Sequence, residues 1–200
     1  RRQRQMCIRD SNRIRVTEDE EIVTSSIKIA SYFDNGDGTF TVYPDLREAD
    51  NNPLADSDLL IGYYHNPGNT GTIYSVQQFT AISDPGSDQS ILLEAEGDSI
   101  PYQHMIIARV GNIVDAERQS FIRISSRTNC QYFYDGIDSW AAYSDPEHVR
   151  CTLGHADIGL IPAWAKEAVG SVKRWFGLIA DGVIIRGTFI LHNDKTIEDE

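Results

Sequence analysis

From Val183 to His192 the side chains alternate: Val183, Ile185, Phe189 and Leu191 share one face, with Gly187 between them, while Ile184, Arg186, Thr188, Ile190 and His192 share the other. A period of two is the repeat of an extended strand, and slipping the register by one residue would exchange the faces, so the run predicts a β-strand. Asp181-Gly182 separates it from the run Trp175 to Ala180, and both residues tolerate the positive φ of a two-residue hairpin loop. The segment is read as a C-terminal β-hairpin. Its mostly apolar face is long for a free edge strand, which is normally paired or covered. Val183, Ile185, Phe189 and Leu191 are therefore the candidate assembly interface.

The same period recurs upstream. Ile22 to Phe33 carries Ile27, Ile29 and Phe33 on one face, and Asp34-Asn35-Gly36-Asp37-Gly38 turns it into Thr39 to Tyr43. Further strands are predicted from Leu59 to Tyr64, Ile73 to Ile82, Ser90 to Glu94, His104 to Val110, Phe121 to Ser125, Cys130 to Tyr134 and Val149 to Leu153. Ile113 to Gln119 has room for one helical turn, and Pro162 to about Val169 reads as the one short helix, with proline in its first turn. The expectation is a mainly β fold: a small SH3/OB-like β-barrel module over 12–125, then an extended strand-rich assembly segment over 126–200 ending in the hairpin. Ser125 to Asn129 is the expected boundary.

Residues 1–11, RRQRQMCIRDS, resemble the translation of a transposase adapter from sequencing-library preparation, and are set aside as non-native. The chain is expected to be truncated at both ends. Its net charge is −12, and the first ten residues hold four arginines and one aspartate, so the remainder is more acidic still. That balance argues against nucleic acid, whose phosphates demand a basic surface, and against an anionic membrane. No apolar run approaches the roughly 18 residues of a membrane span. Cys130 and Cys151 are expected as free thiols, a disulfide requiring the fold to bring their Cα atoms within about 7 Å.

Motifs for catalysis are missing: no nucleophile elbow, Walker loop, His-Glu-x-x-His helix, Rossmann fingerprint or Cys-x-x-Cys pair occurs. Cys151 with His155 is the one spacing of metal-binding type, and nothing completes a four-ligand set. Asp34 to Gly38 looks like the start of a calcium loop but lacks the oxygen ligands at alternating positions and the Glu at the twelfth. Glu94 and Glu96 share a strand face, as a glycosidase pair would, without an aromatic platform beside them. No enzyme activity, cofactor or metal is expected. Aromatics do concentrate after residue 130, and flat rings bind sugar faces as well as protein neighbours. Tyr132, Tyr134 and Trp140 are accordingly the candidate glycan platform of the alternative reading.

Four ordered stretches carry a resemblance. Arg118-Gln119-Ser120-Phe121-Ile122-Arg123-Ile124-Ser125 is followed by Tyr134-Asp135-Gly136-Ile137 and Arg150-Cys151-Thr152-Leu153-Gly154, and then by Phe176-Gly177-Leu178, Asp181-Gly182-Val183, Gly187, Phe189 and Leu191. In this order, over roughly residues 90 to 200, the chain resembles tail structural proteins of phages and prophages of the Bacteroidota. It departs from them in a longer Ala156 to Lys173 stretch and in Gly182-Val183-Ile184, where the family has Asn-Val-Tyr. The resemblance implies a structural component of a tail tip or fibre base. Its implied partners are other copies of itself, as in a trimer, and other tail proteins, with a host surface glycan under the alternative. The implied location is the virion tail, after synthesis in the bacterial host cytoplasm.

Overall fold

The computed structural model describes residues 13–15, 20–46, 50–65, 74–125, 128–155, 163–165 and 176–183. Among the described residues, two antiparallel assemblies account for the strands. The first is a closed barrel of β3 (Ser26–Asp34), β4 (Thr39–Pro44), β5 (Asp58–His65), β6 (Tyr74–Ala81), β7 (Ile91–Ala95) and β8 (Ile106–Asn112), in the order β3-β4-β7-β6-β5-β8. β5, β6 and β7 pair in succession and β8 returns beside β5, which is a Greek key. The second is an open sheet of β1 (Arg13–Arg15), β2 (Glu20–Val23), β9 (Phe121–Ser125), β10 (Cys130–Tyr134), β11 (Val149–His155) and β12 (Phe176–Ala180), paired in that order.

The mainly β expectation holds, and the barrel is present. The boundary lies elsewhere than 125/126: the barrel runs from Ser26 to Asn112, while β1, β2 and β9 belong to the other sheet. Glu20 sits opposite Ser125 and Val23 opposite Ile122, a pairing between distant parts of the chain that no local pattern announces. Among the described residues after 126, Cys130, Tyr132, Tyr134 and Val149 of β10 and β11 pack against the barrel wall.

Two cores result. Ile27, Ile29, Phe40, Val42, Phe79 and Leu93 are among the side chains that fill the barrel. The other core lies between the open sheet and the barrel wall, where Leu59, Ile61, Ala108 and Val110 meet Ile22, Phe121, Tyr132, Tyr134, Ile137 and Val149. Leu60 and Ile107 face the barrel interior while their neighbours Leu59, Ile61 and Ala108 face the sheet. β5 and β8 are thus buried on both sides, which is why they read as nearly continuous apolar runs. Gly111 permits the contact: a Cβ there would lie 2.3 Å from the Ile137 carbonyl oxygen.

Some local readings change. A register shift between Ile29 and Ser31 leaves Ile27 and Ile29 inside but Phe33 64% exposed, not on their face as its spacing suggested. The turn in 113–119 is a 3-10 turn at Ala116–Arg118. An α-helix occurs at Trp140–Ser144 (α1), capped by the Ser139 hydroxyl, which accepts from Ala142 N at 3.2 Å. Of the helix expected from Pro162, Ala163 to Ala165 are helical, and the rest of that span lies outside the described residues.

Candidate functional site

The ladder registers align the open sheet's side chains into rows. On the barrel side, Ile22, Arg123, Tyr132, Thr152 and Ile179 stand side by side. The Arg123 guanidinium lies 5.9 Å from the Tyr132 ring centroid, a cation–π distance. On the opposite side one row runs Val23, Ile122, Phe133, Cys151, Ala180, and the next runs Glu21, Ile124, Gln131, Leu153, Leu178. From β2 to β12 these rows hold a single charged residue, Glu21. Leu153 and Leu178 are cross-strand partners, 44% and 50% exposed. This outer face is the candidate site: a flat apolar surface on a strongly acidic chain.

Of the candidate interface residues named from sequence, Val183 is exposed, just past the β12 end. Ile185, Phe189 and Leu191, with the second strand of the expected hairpin, lie outside the described residues. Asp181 closes the β12 end: its N–H donates to Arg150 O at 3.1 Å and its carboxylate pairs with Arg150 at 3.3 Å.

The candidate glycan platform is placed differently. Tyr132 is 0% exposed and Tyr134 is 7% exposed, so both ring faces belong to the core. The Tyr132 hydroxyl donates to Thr128 Oγ1 at 2.9 Å, and burial pushes its pKa far above the usual tyrosine value. Tyr134 stacks on Phe121 with centroids 4.4 Å apart. Trp140, at the start of α1, is half-buried and meets Tyr143 edge-on at 5.7 Å. The three do not form a solvent-facing platform. Strand parity explains it: Cys130, Tyr132 and Tyr134 share one face, and that face is the one the sheet presents to the barrel.

The cysteines also separate. Cys130 lies opposite Gly154 on the core side, its thiol against the His155 carbonyl, while Cys151 lies opposite Phe133 on the outer face. Both are free. Burial, then the Asp181 carboxylate, raises the Cys151 thiol above its ordinary value. Cys151 and His155 are four residues apart on one strand, about 13 Å at the usual rise, too far to share a metal ion. Among the described residues no three His, Cys, Asp or Glu gather as a metal site. Asp34 and Asp37 accept from Gly36 N and from Thr39 N and Oγ1, the bonds of a turn.

Sequence reasoning missed one buried polar cluster. Asp58 is 0% exposed at the head of β5. Its Oδ1 accepts from Arg118 Nε at 2.8 Å and Asn112 Nδ2 at 2.9 Å; its Oδ2 accepts from Arg118 Nη2 at 2.6 Å and Ala55 N at 2.8 Å. Asn112 Oδ1 accepts from Val114 N and Asp115 N, capping the chain as it leaves β8. The Asp58 hydrogen bond holds the Arg118 guanidinium above its ordinary pKa. With four donors on a buried carboxylate, the cluster locks the 3-10 turn that leads into β9 onto the head of β5 and is not arranged as a proton-transfer site. Asp58 closes an acidic stretch that also holds Asp50 and Asp56, and its place directly before the run Leu59-Leu60-Ile61 was the one sequence signal.

No helix among the described residues is long and apolar enough to cross a membrane. Set against protein-family models, curated proteins and solved structures, the chain matches none.

Proposed function

We propose that this chain is a non-enzymatic structural component of a phage tail, at the tip or fibre base, and that it acts by subunit assembly. The observation that carries the reading is the outer face of the open sheet, where from β2 to β12 two rows of side chains include one charged residue. A face of this kind, on a chain of net charge −12, serves contact better than solvation. The ordered resemblance to tail proteins of Bacteroidota phages and prophages supplies the setting: the virion tail, with other copies and other tail proteins as partners. The carbohydrate-binding alternative is less well supported, because Tyr132 and Tyr134 give their rings to the core.

The test is antibody labelling. Antibodies against the chain should decorate one end of tailed particles from the encoding strain under the electron microscope. Signal confined to the soluble cell fraction, with unlabelled particles, overturns the proposal.

A further inference from the structure

We propose that Asn35 is a site of spontaneous deamidation and that the hydrogen bonds of the β3–β4 tip set its rate. The inference is independent of the assembly reading and concerns the barrel rather than the open sheet. Asn35-Gly36 is the one Asn-Gly pair in the sequence. Deamidation starts when the backbone nitrogen of the following residue attacks the asparagine side-chain carbonyl carbon, so it depends on how freely that nitrogen is reached. Asn52 and Asn66 precede proline, which has no N–H to lose. Asn112 is buried and holds its carbonyl oxygen against Val114 N and Asp115 N. At the tip Asn35 and Gly36 are both exposed, and nothing lies within 4 Å of where a Gly36 side chain would stand.

The folded tip commits each reacting group to another partner. Gly36 N, the nucleophile, donates to Asp34 Oδ1 at 2.8 Å. Asn35 Nδ2, the leaving group, donates to Thr39 Oγ1 at 2.9 Å, and Asn35 Oδ1 accepts from Thr41 Oγ1 at 3.4 Å. The Asn35 backbone N–H donates to Thr39 O at 3.1 Å, and Gly36 stands at φ +82°, a backbone that glycine holds readily. Attack requires Gly36 N to leave Asp34 and the Asn35 carboxamide to turn away from β4. Both happen when the tip opens, and local opening of an exposed turn costs far less than global unfolding. The reaction therefore runs from the open tip, at a rate scaled by its population.

The chemistry balances with water as the only co-reactant. A bond forms between Gly36 N and Asn35 Cγ as the bond from Cγ to Nδ2 breaks; Gly36 N gives up its proton and ammonia leaves. Water then opens the cyclic imide at either carbonyl, leaving aspartate or isoaspartate at position 35. Either product removes the donor to Thr39 and places a carboxylate between Asp34 and Asp37. Hydrogen bonds from the Thr39 hydroxyl and N–H hold Asp37 below the usual carboxylate range, so it is ionised at neutral pH. Like charges so close repel, and the modified tip stays open more than the parent.

The experiment follows the peptide containing Asn35 by mass spectrometry while the full chain is held at mildly alkaline pH, folded in buffer and unfolded in concentrated urea. The expected result is the mass gain of an amide becoming an acid at Asn35 ahead of every other asparagine, about tenfold slower in the folded chain than in urea. Thr39→Val removes the acceptor of Asn35 Nδ2 and should speed the folded reaction about fivefold, the worth of a hydrogen bond, while leaving the urea rate alone. Thr39→Ser keeps the hydroxyl and should keep the parent rate. Circular dichroism is read for each variant, and Asp34→Ala, which frees Gly36 N, gives a second route to a faster folded reaction should Thr39→Val lose its fold. Equal rates in buffer and urea, a first modification at another asparagine, or folded variants no faster than the parent overturn the inference.

Discussion

The barrel and the open sheet are made of the same kind of strand and treat their surfaces oppositely. In the barrel every strand has two neighbours, the apolar rows point inward, and outward positions on β4 and β7 include Thr39, Thr41 and Glu94. In the sheet, one apolar face is spent on the barrel wall and the other is still apolar where it meets solvent. Closure removes edges, whereas an open sheet keeps a second face outside the core. The difference follows from topology, since both halves alternate with the same period.

The comparison requires the two halves to be locked together but separately packed. Arg118→Ala should have the largest effect, about 3–5 kcal/mol in urea unfolding, because it strands the buried Asp58 carboxylate. A loss below about 1 kcal/mol would show that the cluster is no lock. Leu60→Ala and Leu59→Ala should each cost about 2–5 kcal/mol. They should differ in where hydrogen exchange accelerates: β3, β4 and β7 for Leu60, β9 to β11 for Leu59. Equal loosening of both halves by either variant would make them one cooperative unit and break the comparison.

Gly111→Ala tests the seam itself. Its methyl group must displace the Ile137 carbonyl, at about 1–3 kcal/mol, whereas Gly182→Ala, with nothing within 4 Å, should stay within about 0.5 kcal/mol. The smallest effect concerns pH. The folded state keeps the Tyr132 proton after the unfolded chain has lost it, so this contribution to stability is intact below about pH 10 and declines as the pH rises further. Tyr132→Phe should give up about 1 kcal/mol at neutral pH with the Thr128 hydrogen bond, and should show a shallower alkaline decline. An unchanged alkaline slope would mean that the ring is not the group responsible.

The strands were legible because alternation and turn residues are local. Asp34 to Gly38 and Asp135-Gly136 turn the chain where their residue types suggested, with positive φ at Gly36, Gly38 and Gly136. The Phe33 side was misassigned because a bulge inserts one residue into the pairing, and nothing in the spacing of Ile27, Ile29 and Phe33 marks it. α1 was not placed because five residues are too few to show a helical period; Ser139 as cap was its one local sign. The outer face was half visible: its Leu153 and Leu178 alternate plainly, but so do Tyr132 and Tyr134, and those point the other way.

By itself the sequence determined that this protein is mainly β, where most of its strands and turns fall, and that it is acidic. Only the tertiary structure decided which strands share a sheet and which apolar face is buried. The physical reason is that period-two alternation defines two faces without ranking them. The ranking comes from pairings such as Glu20 with Ser125 and from β5 and β8 serving as a wall for both cores, contacts between residues far apart in the chain.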